Sequence, residues 1–418
     1  MNIKTSYIKT ASYEAKKGEI KKVLLLYSGG LDTSVMLRWI QDEYDAEVIT
    51  FTADLGQSQV DLEAIRRKAL KTGAKKAYVE NLKDEFAENY LSLAIKANAL
   101  YGEKYPLSSA LARYLIAKKA IDIGKKEGVD AIAHGCTGKG NDQIRFDVTA
   151  FTLDPKIKVI APVREWSMTR SEEIDYAKKN GIEVQATKGR PYSVDENIWG
   201  KSSESGVLEI PDNEPPSDVF EWVTIPEKAP NKPRYIELEF LQGIPVKLDG
   251  KKLKLADLIM RLNKIAGDNG VGIIDHIENR VIGMKSREVY ECPAALTIIE
   301  AHRDLQKMVC TNYEDFFRPI VEDKWAYLAF SGLWYEPLMN DLNAFIDSVN
   351  KNVAGVVRLK LYKGSVRVVG RRSPFSLYDH DLVSFDDKTV FNQASSAPFI
   401  ELFGLMSKNA YQVSKKKR

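Results

Sequence analysis

The sequence has 418 residues, which at about 150 residues per domain predicts two or three domains. Hydrophobic residues make up 44% of it, enough to bury a core in each domain. Its 61 basic and 58 acidic residues leave a formal charge of +3, too small an excess for a protein whose main partner is nucleic acid.

The cysteines and the hydropathy pattern indicate the compartment. Cys136, Cys292 and Cys310 form no C-x-x-C pair, so they predict neither a disulfide framework nor a zinc site. No apolar run approaches the roughly 20 residues that span a bilayer, and residues 1–20 lack the apolar stretch of a signal peptide. We therefore expect a multidomain enzyme of the cytoplasm, with no membrane and no nucleic-acid partner.

The first half of the sequence alternates strand-like and helix-like segments. Short apolar or β-branched runs predict strands at 22–27, 47–51, 77–79, 131–134 and 158–162. Amphipathic segments between them predict helices at 33–41, 60–72, 83–100, 107–126 and 169–180, of which two end at Gly73 and Gly128. Such alternation is typical of βαβ units, so we expect an α/β domain with a doubly wound parallel sheet.

The second half has a different composition. Residues 188–232 are rich in Gly, Pro, Ser and Asn, which predicts a long loop that is either a linker or a functional segment. Beyond it, we predict strands at 234–241, 355–362 and 365–370, an Asp-Gly hairpin at 247–251, and helices at 253–265, 295–308 and 338–350. This mixture predicts a second, α+β domain, followed at 394–418 by a partly apolar helix of the kind that docks on another subunit.

The first motif joins a strand, two glycines and a helix start, and reads Ser28-Gly29-Gly30-Leu31-Asp32-Thr33-Ser34. Adjacent glycines let the backbone approach a ligand closely, and a helix N-terminus attracts anions. The alternative is a tight structural turn in which Thr33 or Ser34 caps the helix. The pattern is neither G-x-G-x-x-G nor a P-loop; it resembles the pyrophosphate-binding loop of ATP pyrophosphatases. That resemblance implies that Leu26, Tyr27 and the motif bind ATP and that Ala53 adjoins the adenine; Asp54 is either an N-cap or a polar group near the nucleotide.

The second motif, His134 to Phe146, follows a later strand and is unusually polar. Its glycines allow close approach to a ligand, and Thr137, Lys139, Asn141, Asp142, Gln143 and Arg145 supply side-chain groups. The alternative is a surface loop with a capped helix start at Asn141 or Asp142. Cys136 is expected to be a small buried filler, and His134 is equally well explained as a hydrogen-bonded core histidine.

These motifs and several later stretches closely resemble the argininosuccinate synthase family. The resembling stretches are 27–34, 52–57, 105–113, 134–146, 192–197, 270–272, 278–280, 283–291, 301–303 and 359–364, so the resemblance extends over nearly all of 21–405. It implies an adenine nucleotide alpha hydrolase-like fold for the first domain. It also implies ATP-dependent joining of citrulline to aspartate through a citrullyl-adenylate, with release of AMP and pyrophosphate.

The resemblance implies roles for individual residues. The family's citrulline-binding positions correspond here to Tyr105, Asn141, Arg145, Ser193, Ser202, Glu278 and Tyr290, with Ser108, Ser109 and Ala110 as candidates for one more contact. Thr137, Asn141 and Asp142 correspond to aspartate-binding positions, and Gly135 to a nucleotide contact. Arg145 can bind a carboxylate bidentately, Glu278 can pair with an ammonium group, and Asp142 can orient the aspartate amine or accept its proton. We expect Asp142 and Arg145 to be the catalytic residues.

The same resemblance implies a metal ion and an assembly. Mg²⁺ is expected on the ATP phosphates without a dedicated protein cage, and Asp32 is either a ligand or a structural residue of the helix start. A homotetramer is expected as well. The expected segments are an N-terminal extension (1–20), an ATP pyrophosphatase domain (21–187), a synthetase and multimerisation domain (188–387) and an oligomerisation tail (388–418).

Two other functions are compatible with the first motif alone. A related enzyme would adenylate a different carbonyl group, but the sequence has no Cys–His arrangement of a glutaminase and no paired cysteines of a tRNA-thiolating enzyme. A nucleotide-binding regulator would not need the second polar loop. Citrulline-dependent release of pyrophosphate distinguishes both from the implied synthase.

Overall fold

The computed structural model describes residues 8–58, 61–166, 168–183, 192–384 and 390–416. The chain divides into two compact units, Met1–Pro374 and Phe375–Arg418. Within the described ranges, every helix is too short or too polar to cross a membrane.

The first sheet is parallel, as predicted, and consists of β1 (Lys22–Leu26), β2 (Glu47–Asp54), β3 (Lys76–Asn81), β4 (Ala131–Ala133) and β5 (Lys158–Ile160). Its order is β3-β2-β1-β4-β5, so β1 is central and is covered on both faces. That position explains why Val23, Leu24 and Leu25 are all buried and apolar. The strand order reverses at β1, since β2 and β3 lie on one side of it and β4 and β5 on the other. In doubly wound sheets, ligands bind in the crevice at this point.

The helices around this sheet are α1 (Leu31–Tyr44), α2 (Leu62–Thr72), α3 (Lys83–Phe86), α4 (Ser92–Lys96), α5 (Ser108–Glu127), α6 (Asp142–Leu153), α7 (Pro162–Glu165) and α8 (Arg170–Lys179). Gly73 and Gly128 end α2 and α5 in the left-handed conformation, as predicted. The helix predicted at 83–100 is interrupted by a different helical turn and ends at Lys96. A π-helical turn, Ala87–Leu91, joins α3 to α4, and Asn98, beyond the end of α4, has a φ of 44°.

The chain continues with further strands, namely β6 (Ser193–Asn197), β7 (Gly200–Glu204), β8 (Arg234–Leu241), β9 (Ile244–Leu248), β10 (Lys251–Lys252), β11 (Ile273–Asn279), β12 (Lys285–Glu291), β13 (Gly355–Tyr362) and β14 (Ser365–Arg372). The helices among them are α9 (Leu255–Asp268), α10 (Pro293–Val309), α11 (Asn312–Phe330) and α12 (Pro337–Val349). These elements confirm the predicted α+β character of the second half.

An antiparallel sheet of order β11-β12-β7-β6 corrects part of the prediction of a long loop at 188–232, because 193–204 forms two of its strands. Residues 205–232 lack strands, as predicted, and 188–191 lie outside the described residues. The hairpin β6–β7 belongs to this sheet, because β7 is hydrogen-bonded to β12. Both β7 and the β11–β12 hairpin escaped prediction because many of their buried residues are polar or charged, among them Glu278, Arg287 and Glu291. Lys201, Ser202 and Ser203 of β7 are at most 7% exposed, so the usual apolar alternation is missing.

A second antiparallel sheet has the order β10-β9-β8-β13-β14. Asp249 and Gly250, with φ of 50° and 76°, form the predicted two-residue hairpin turn between β9 and β10. Helix α11 was not predicted, because Pro319 lies in its interior. A capping box of Thr311 and Glu314 defines its start.

The second unit contains α13 (His380–Val383) and α14 (Ser396–Lys416). The helix predicted at 394–418 is therefore confirmed over its described part. Its apolar side chains are exposed within the chain, among them Phe399, Leu402 and Phe403 at 63%, 74% and 78%. Exposed apolar surface of this extent on one helix is typical of an interaction surface.

Candidate active site

The first motif forms the loop between β1 and α1. Gly29 has a φ of +79°, and a Cβ atom there would lie 2.7 Å from Cγ1 of Ile65. Both the backbone conformation and the lack of space require glycine. Gly30 is the N-cap of α1 and has no side chain to cap it, so the first backbone N–H groups of the helix remain available for an anion.

The hydroxyl groups of the loop divide into two sets. Ser34 is fully buried, where its Oγ donates to the carbonyl of Gly30 at 2.7 Å and lies 2.8 Å from the Tyr27 hydroxyl. Ser28 and Thr33 lie on the outer side, with their hydroxyl oxygens 3.1 Å apart. Ser34 and Tyr27 therefore shape the loop, whereas Ser28 and Thr33 can reach a ligand.

Charged side chains from two helices contact this loop. Lys68 of α2 donates to the carbonyl of Gly29 at 2.8 Å, and burial lowers the pKa of Lys68. Arg170 of α8 forms an ion pair with Asp32. Neither basic residue was singled out from the sequence, since both lie outside the motif.

The carboxyl end of β2 lies at the same edge of the sheet and carries Ala53, which belongs to the strand rather than following it. The next residue, Asp54, accepts from the backbone N–H of Gly56 at 2.9 Å and forms an ion pair with Lys83. Of the two alternatives for Asp54, these contacts fit a structural role in the turn.

The second motif borders a cavity of about 250 Å³, which extends from the start of α6 to the sheet containing β7, β11 and β12. Sites for drug-sized ligands usually measure roughly 300–1,000 Å³, so this cavity suits a smaller molecule such as an amino acid. It is lined by Tyr105, Ser109, Arg113, Gly135, Cys136, Thr137, Gly140, Asn141, Asp142, Arg145, Asp195, Ser202, Glu204, Glu278, Arg280, Glu288 and Tyr290.

Most of the residues predicted to bind citrulline and aspartate line this one cavity. They are Tyr105, Ser109, Thr137, Asn141, Asp142, Arg145, Ser202, Glu278 and Tyr290, together with Gly135. Ser193 and Ala110 are not in the lining. Ser193 is exposed on the edge strand β6, and Ala110 is fully buried beneath Tyr105. The structure thus brings together residues that are up to 185 positions apart.

Asp142 lies between two guanidinium groups. Its Oδ2 accepts from Nε of Arg113 at 2.9 Å and its Oδ1 from Nη1 of Arg145 at 2.7 Å. Arg113 also pairs with Asp195 of β6 at 2.8 Å. Burial acts to raise the pKa of Asp142, but the charges of Arg113 and Arg145 outweigh it and lower that pKa. Asp142 is therefore held as a carboxylate and is a weak proton acceptor.

Arg145 is held from three sides. Its Nε donates to the carbonyl of Phe330 at 3.0 Å, its Nη1 donates to Asp142, and its guanidinium carbon lies 5.0 Å from the centre of the Phe330 ring. The residue is only 4% exposed. Its orientation is thus fixed before any ligand binds, as a carboxylate-binding arginine requires.

Two tyrosines form one wall of the cavity. The rings of Tyr105 and Tyr290 stack with centroids 4.2 Å apart and an interplanar angle of 17°. The Tyr105 hydroxyl accepts from the backbone N–H groups of Ser109 and Ala110, at 3.0 and 3.3 Å. Among the candidates Ser108, Ser109 and Ala110, Ser109 is thus the one whose side chain reaches the cavity, 3.5 Å from Oγ of Ser202.

Carboxylates outnumber their basic partners around the Tyr290 hydroxyl. Glu204 accepts from Nη2 of Arg280 at 3.0 Å, and Glu278 accepts from Nδ2 of Asn141 at 3.3 Å. Burial raises the pKa of Glu204 and of Glu278. Burial and the charges of Glu278 and Glu204 raise the pKa of Glu288 to about 8. This wall is suited to receive a cation such as an ammonium group.

Several lining residues were not assigned from the sequence, namely Arg113, Cys136, Gly140, Asp195, Glu204, Arg280 and Glu288. One signal was available for Glu288, because it lies two positions before Tyr290. Residues two apart on a strand point to the same face, so Glu288 and Tyr290 share a wall once β12 is recognised as a strand. Arg113 and Asp195 carry no such signal, since their pairing depends on the fold.

His134 has a structural role, whereas Cys136 is only partly buried and lines the cavity, so the expectation of a buried filler was wrong. His134 Nε2 lies 2.7 Å from Oδ1 of the buried Asp147, and His134 Nδ1 accepts from the backbone N–H of Cys136 at 3.2 Å. His134 therefore matches the core-histidine alternative. Burial raises the pKa of the Cys136 thiol, which keeps it protonated and unreactive.

Two family models match the chain. The arginosuccinate synthase N-terminal HUP domain matches residues 22–183, and the arginosuccinate synthase C-terminal domain matches residues 192–410. A curated argininosuccinate synthase from Pyrococcus furiosus is 53% identical over 392 residues, covering 94% of this chain and 95% of the relative. Those from Rubrobacter xylanophilus and Geobacillus kaustophilus are each 52% identical, covering 92% and 93% of this chain and 94% and 95% of the relatives.

Proposed function

This chain belongs to the argininosuccinate synthase family, and we propose that the cavity beside the second motif is where its two amino-acid substrates meet. The enzyme is a ligase that condenses citrulline with aspartate, using ATP and releasing AMP and pyrophosphate. The observation that carries the placement is geometric. Loops after two neighbouring strands, β1 and β4, open at the switch point of the parallel sheet, one suited to phosphates and the other to amino acids.

ATP is assigned to the first loop. The free N–H groups at the start of α1 and the outer hydroxyls of Ser28 and Thr33 are donors for phosphate oxygens. Ala53 at the end of β2 and Gly135 after β4 flank the same edge of the sheet and are assigned to the adenosine part. The reaction transfers an adenylyl group to the ureido oxygen of citrulline, so the α phosphate must face the second loop.

Citrulline is assigned to the cavity through its amino-acid end. Its carboxylate is complementary to the fixed guanidinium of Arg145, and its ammonium to the excess of carboxylates around Glu278. Tyr105, Asn141, Ser109, Ser202 and Tyr290 supply neutral donors and acceptors, with Ser193 at the rim. The polar end is thereby held, and the ureido group is left to point toward ATP.

Aspartate is assigned to the side formed by Thr137, Asn141 and Asp142. Because its lowered pKa makes Asp142 a weak base, we assign it the role of orienting the amine of aspartate rather than taking up its proton. We expect Asp142→Asn to slow argininosuccinate formation by about 100-fold while citrulline-dependent pyrophosphate release declines by less than about tenfold. Separate assays of the two products measure this; equal loss of both would contradict the assignment.

Mg²⁺ is proposed to bind on the ATP phosphates and to neutralise their charge. No group of three His, Cys, Asp or Glu within the described ranges is arranged to hold a metal ion alone. Asp32 and Glu173 supply carboxylate oxygens, the donors that Mg²⁺ prefers, and they are close enough that burial and the charge of Asp32 raise the pKa of Glu173. They fit the completion of a coordination shell made mostly of phosphate and water.

The test of the activity is pyrophosphate release from ATP with each amino acid present or omitted. We expect release to require citrulline and argininosuccinate formation to require both amino acids. Release that is indifferent to citrulline would favour a relative that adenylates another carbonyl group.

We propose further that the enzyme acts in the cytoplasm as a homotetramer, with the segments 21–187, 188–387 and 388–418 as nucleotide-binding, synthetase and oligomerisation regions. The exposed apolar residues of α14 support the last of these. Replacing Phe399 and Phe403, whose rings stack 5.5 Å apart, by Glu should lower the mass measured by light scattering. Glu401→Gln on the same helix is the control, and an unchanged mass in the double variant would reject the role.

A further inference from the structure

The hydroxyl of Tyr290 is shared by two carboxyl groups. It lies 2.8 Å from Oε2 of Glu278 and 2.9 Å from Oε2 of Glu288. Tyr290 is 1% exposed and Glu278 is 3% exposed, so water has little access to this arrangement. Both distances are those of real hydrogen bonds.

The number of hydrogens available for these two contacts determines whether a carboxyl group is protonated. A phenol hydroxyl carries one hydrogen and can donate only once. If both carboxyl groups were ionised, one short contact would join lone pairs without a hydrogen between them. Both contacts are favourable only if Tyr290 donates to one carboxylate and the other carboxyl group is protonated and donates to the phenol oxygen.

The surroundings of the two carboxyl groups identify the protonated one. Glu278 also accepts from Asn141 and lies near Arg145, both of which favour its ionised form. Glu288 has no equivalent support, because Arg280 is 4.0 Å away and is closer to Glu204, at 3.0 Å.

Most of the charged groups around Glu288 add to this bias. The groups that face it are Tyr290 on its own strand, Glu278 and His276 on β11, Glu204 on β7, Asp142 on α6, and Arg280 in the turn after β11. Burial and Lys104 lower the pKa of His276, so this histidine is neutral near pH 7. Three of the facing groups are acidic and one is a permanent cation, so the proton resides on Glu288.

We propose that Glu288 is a positioning residue of the amino-acid cavity which holds a proton while the cavity is empty and releases it when the ammonium group of citrulline arrives. The inference rests on the proposed placement of citrulline. Charge balances at this wall, since the ammonium group replaces one proton, which leaves to solvent through the 18% of the Glu288 side chain that is exposed. The carboxylate of citrulline is neutralised separately by Arg145. Tyr290 then donates its hydrogen to Glu278, and the Glu288 carboxylate exchanges its contact with the Tyr290 hydroxyl for one with the ammonium group.

The exchange makes citrulline binding depend on pH. An opposite charge within about 4–6 Å lowers a carboxyl pKa by roughly 1–3 units. With a pKa of about 8 in the empty cavity, Glu288 is mostly protonated at pH 7, so binding releases roughly 0.4–0.9 proton. The dissociation constant should therefore fall about five- to 45-fold from pH 6 to pH 8, and level off above pH 8.

Calorimetry on the full chain tests this directly. Citrulline is titrated at pH 7.0 into the protein with α,β-methylene-ATP, in phosphate and in Tris, whose different ionisation enthalpies reveal the number of protons released. The matched probe is 5-ureidopentanoate, which is citrulline without its ammonium group. We expect release of roughly 0.4–0.9 proton with citrulline and less than about 0.1 with 5-ureidopentanoate. Citrulline binding without proton release would overturn the inference and leave the proposed function intact, whereas absent citrulline binding would overturn both.

Substitution of Glu288 tests whether this residue holds the released proton. Glu288→Gln keeps the size of the side chain and cannot ionise, so its citrulline binding should release less than about 0.1 proton and vary by less than about twofold between pH 6 and pH 8. Glu209→Gln, an exposed glutamate outside the cavity, is the control and should behave as wild type. Proton release that persists in Glu288→Gln would overturn the assignment to Glu288.

Discussion

The loops that follow β1 and β4 lie at one edge of one sheet, yet they are built differently. The first is shaped by its own residues, since Gly29, Gly30 and Ser34 set its backbone through contacts that are mostly a few positions apart. The second borders a cavity whose contacts join distant segments, as Asn141 and Glu278 do across 137 positions. A local loop depends on sterics at each position, whereas an assembled cavity depends on the balance of charges between elements.

The balance of charges in the cavity should be most sensitive to a substitution of Arg113. Arg113→Met would leave Asp195 without its cation and Asp142 with only one. The side chains of Arg113, Asp142 and Asp195 are 15%, 30% and 33% exposed, so removing the cation leaves two partly buried charges uncompensated. We expect the free energy of unfolding to fall by about 2–4 kcal/mol. Urea denaturation measures the change, with Arg113→Lys as the charge-conserving control. A loss below about 1 kcal/mol would mean that the cavity does not depend on this pairing.

Gly29 tests the local loop. A side chain there is strained by the positive φ and would meet Ile65 at 2.7 Å, so Gly29→Ala should cost about 2 kcal/mol and reduce citrulline-dependent pyrophosphate release at least tenfold. Gly138→Ala in the second loop is the matched control, because a Cβ there has no atom within 4 Å. Equal losses in both variants would remove the distinction between the two loops.

Glu288, in the assembled cavity, should make the free energy of unfolding depend on pH. Its folded pKa is raised above the ordinary value of 4.5, so its contribution is full below pH 4.5 and is lost as pH rises through about 8. Relative to wild type, Glu288→Gln without ligand should therefore gain about 3–4 kcal/mol of stability between pH 5 and pH 8, and differ from it by less than about 1 kcal/mol at pH 5. Urea denaturation at both pH values measures this, and an equal difference at the two pH values would contradict it.

The smallest expected effect compares one serine from each region. Ser34→Ala removes two buried hydrogen bonds of the first loop and should lower the free energy of unfolding by about 1 kcal/mol. Ser202→Ala in the cavity removes only a 3.5 Å contact and should change stability by less than about 0.5 kcal/mol, while raising the KM for citrulline. Thermal denaturation and initial rates separate the two results.

Much of the fold was predictable from local pattern. Strands β1 and β13, the Gly73 and Gly128 caps and the Asp249-Gly250 turn follow from apolar runs and glycines alone. The strands that were not predicted have one cause in common. Strands β7, β11 and β12 line the cavity with polar side chains, so they lack the apolar alternation that identifies a strand.

By itself the sequence determined the parallel α/β sheet, the glycine loop after its first strand and the kinds of side chain at the site. It also carried the family resemblance. Only the tertiary structure decided which charges meet, since the pairing of Arg113 with Asp142 and Asp195 requires three separate segments to converge. It likewise decided that Glu278 and Glu288 share the Tyr290 hydroxyl. The physical reason is that ion pairing and pKa depend on distance and burial in space, which the order of residues along the chain does not contain.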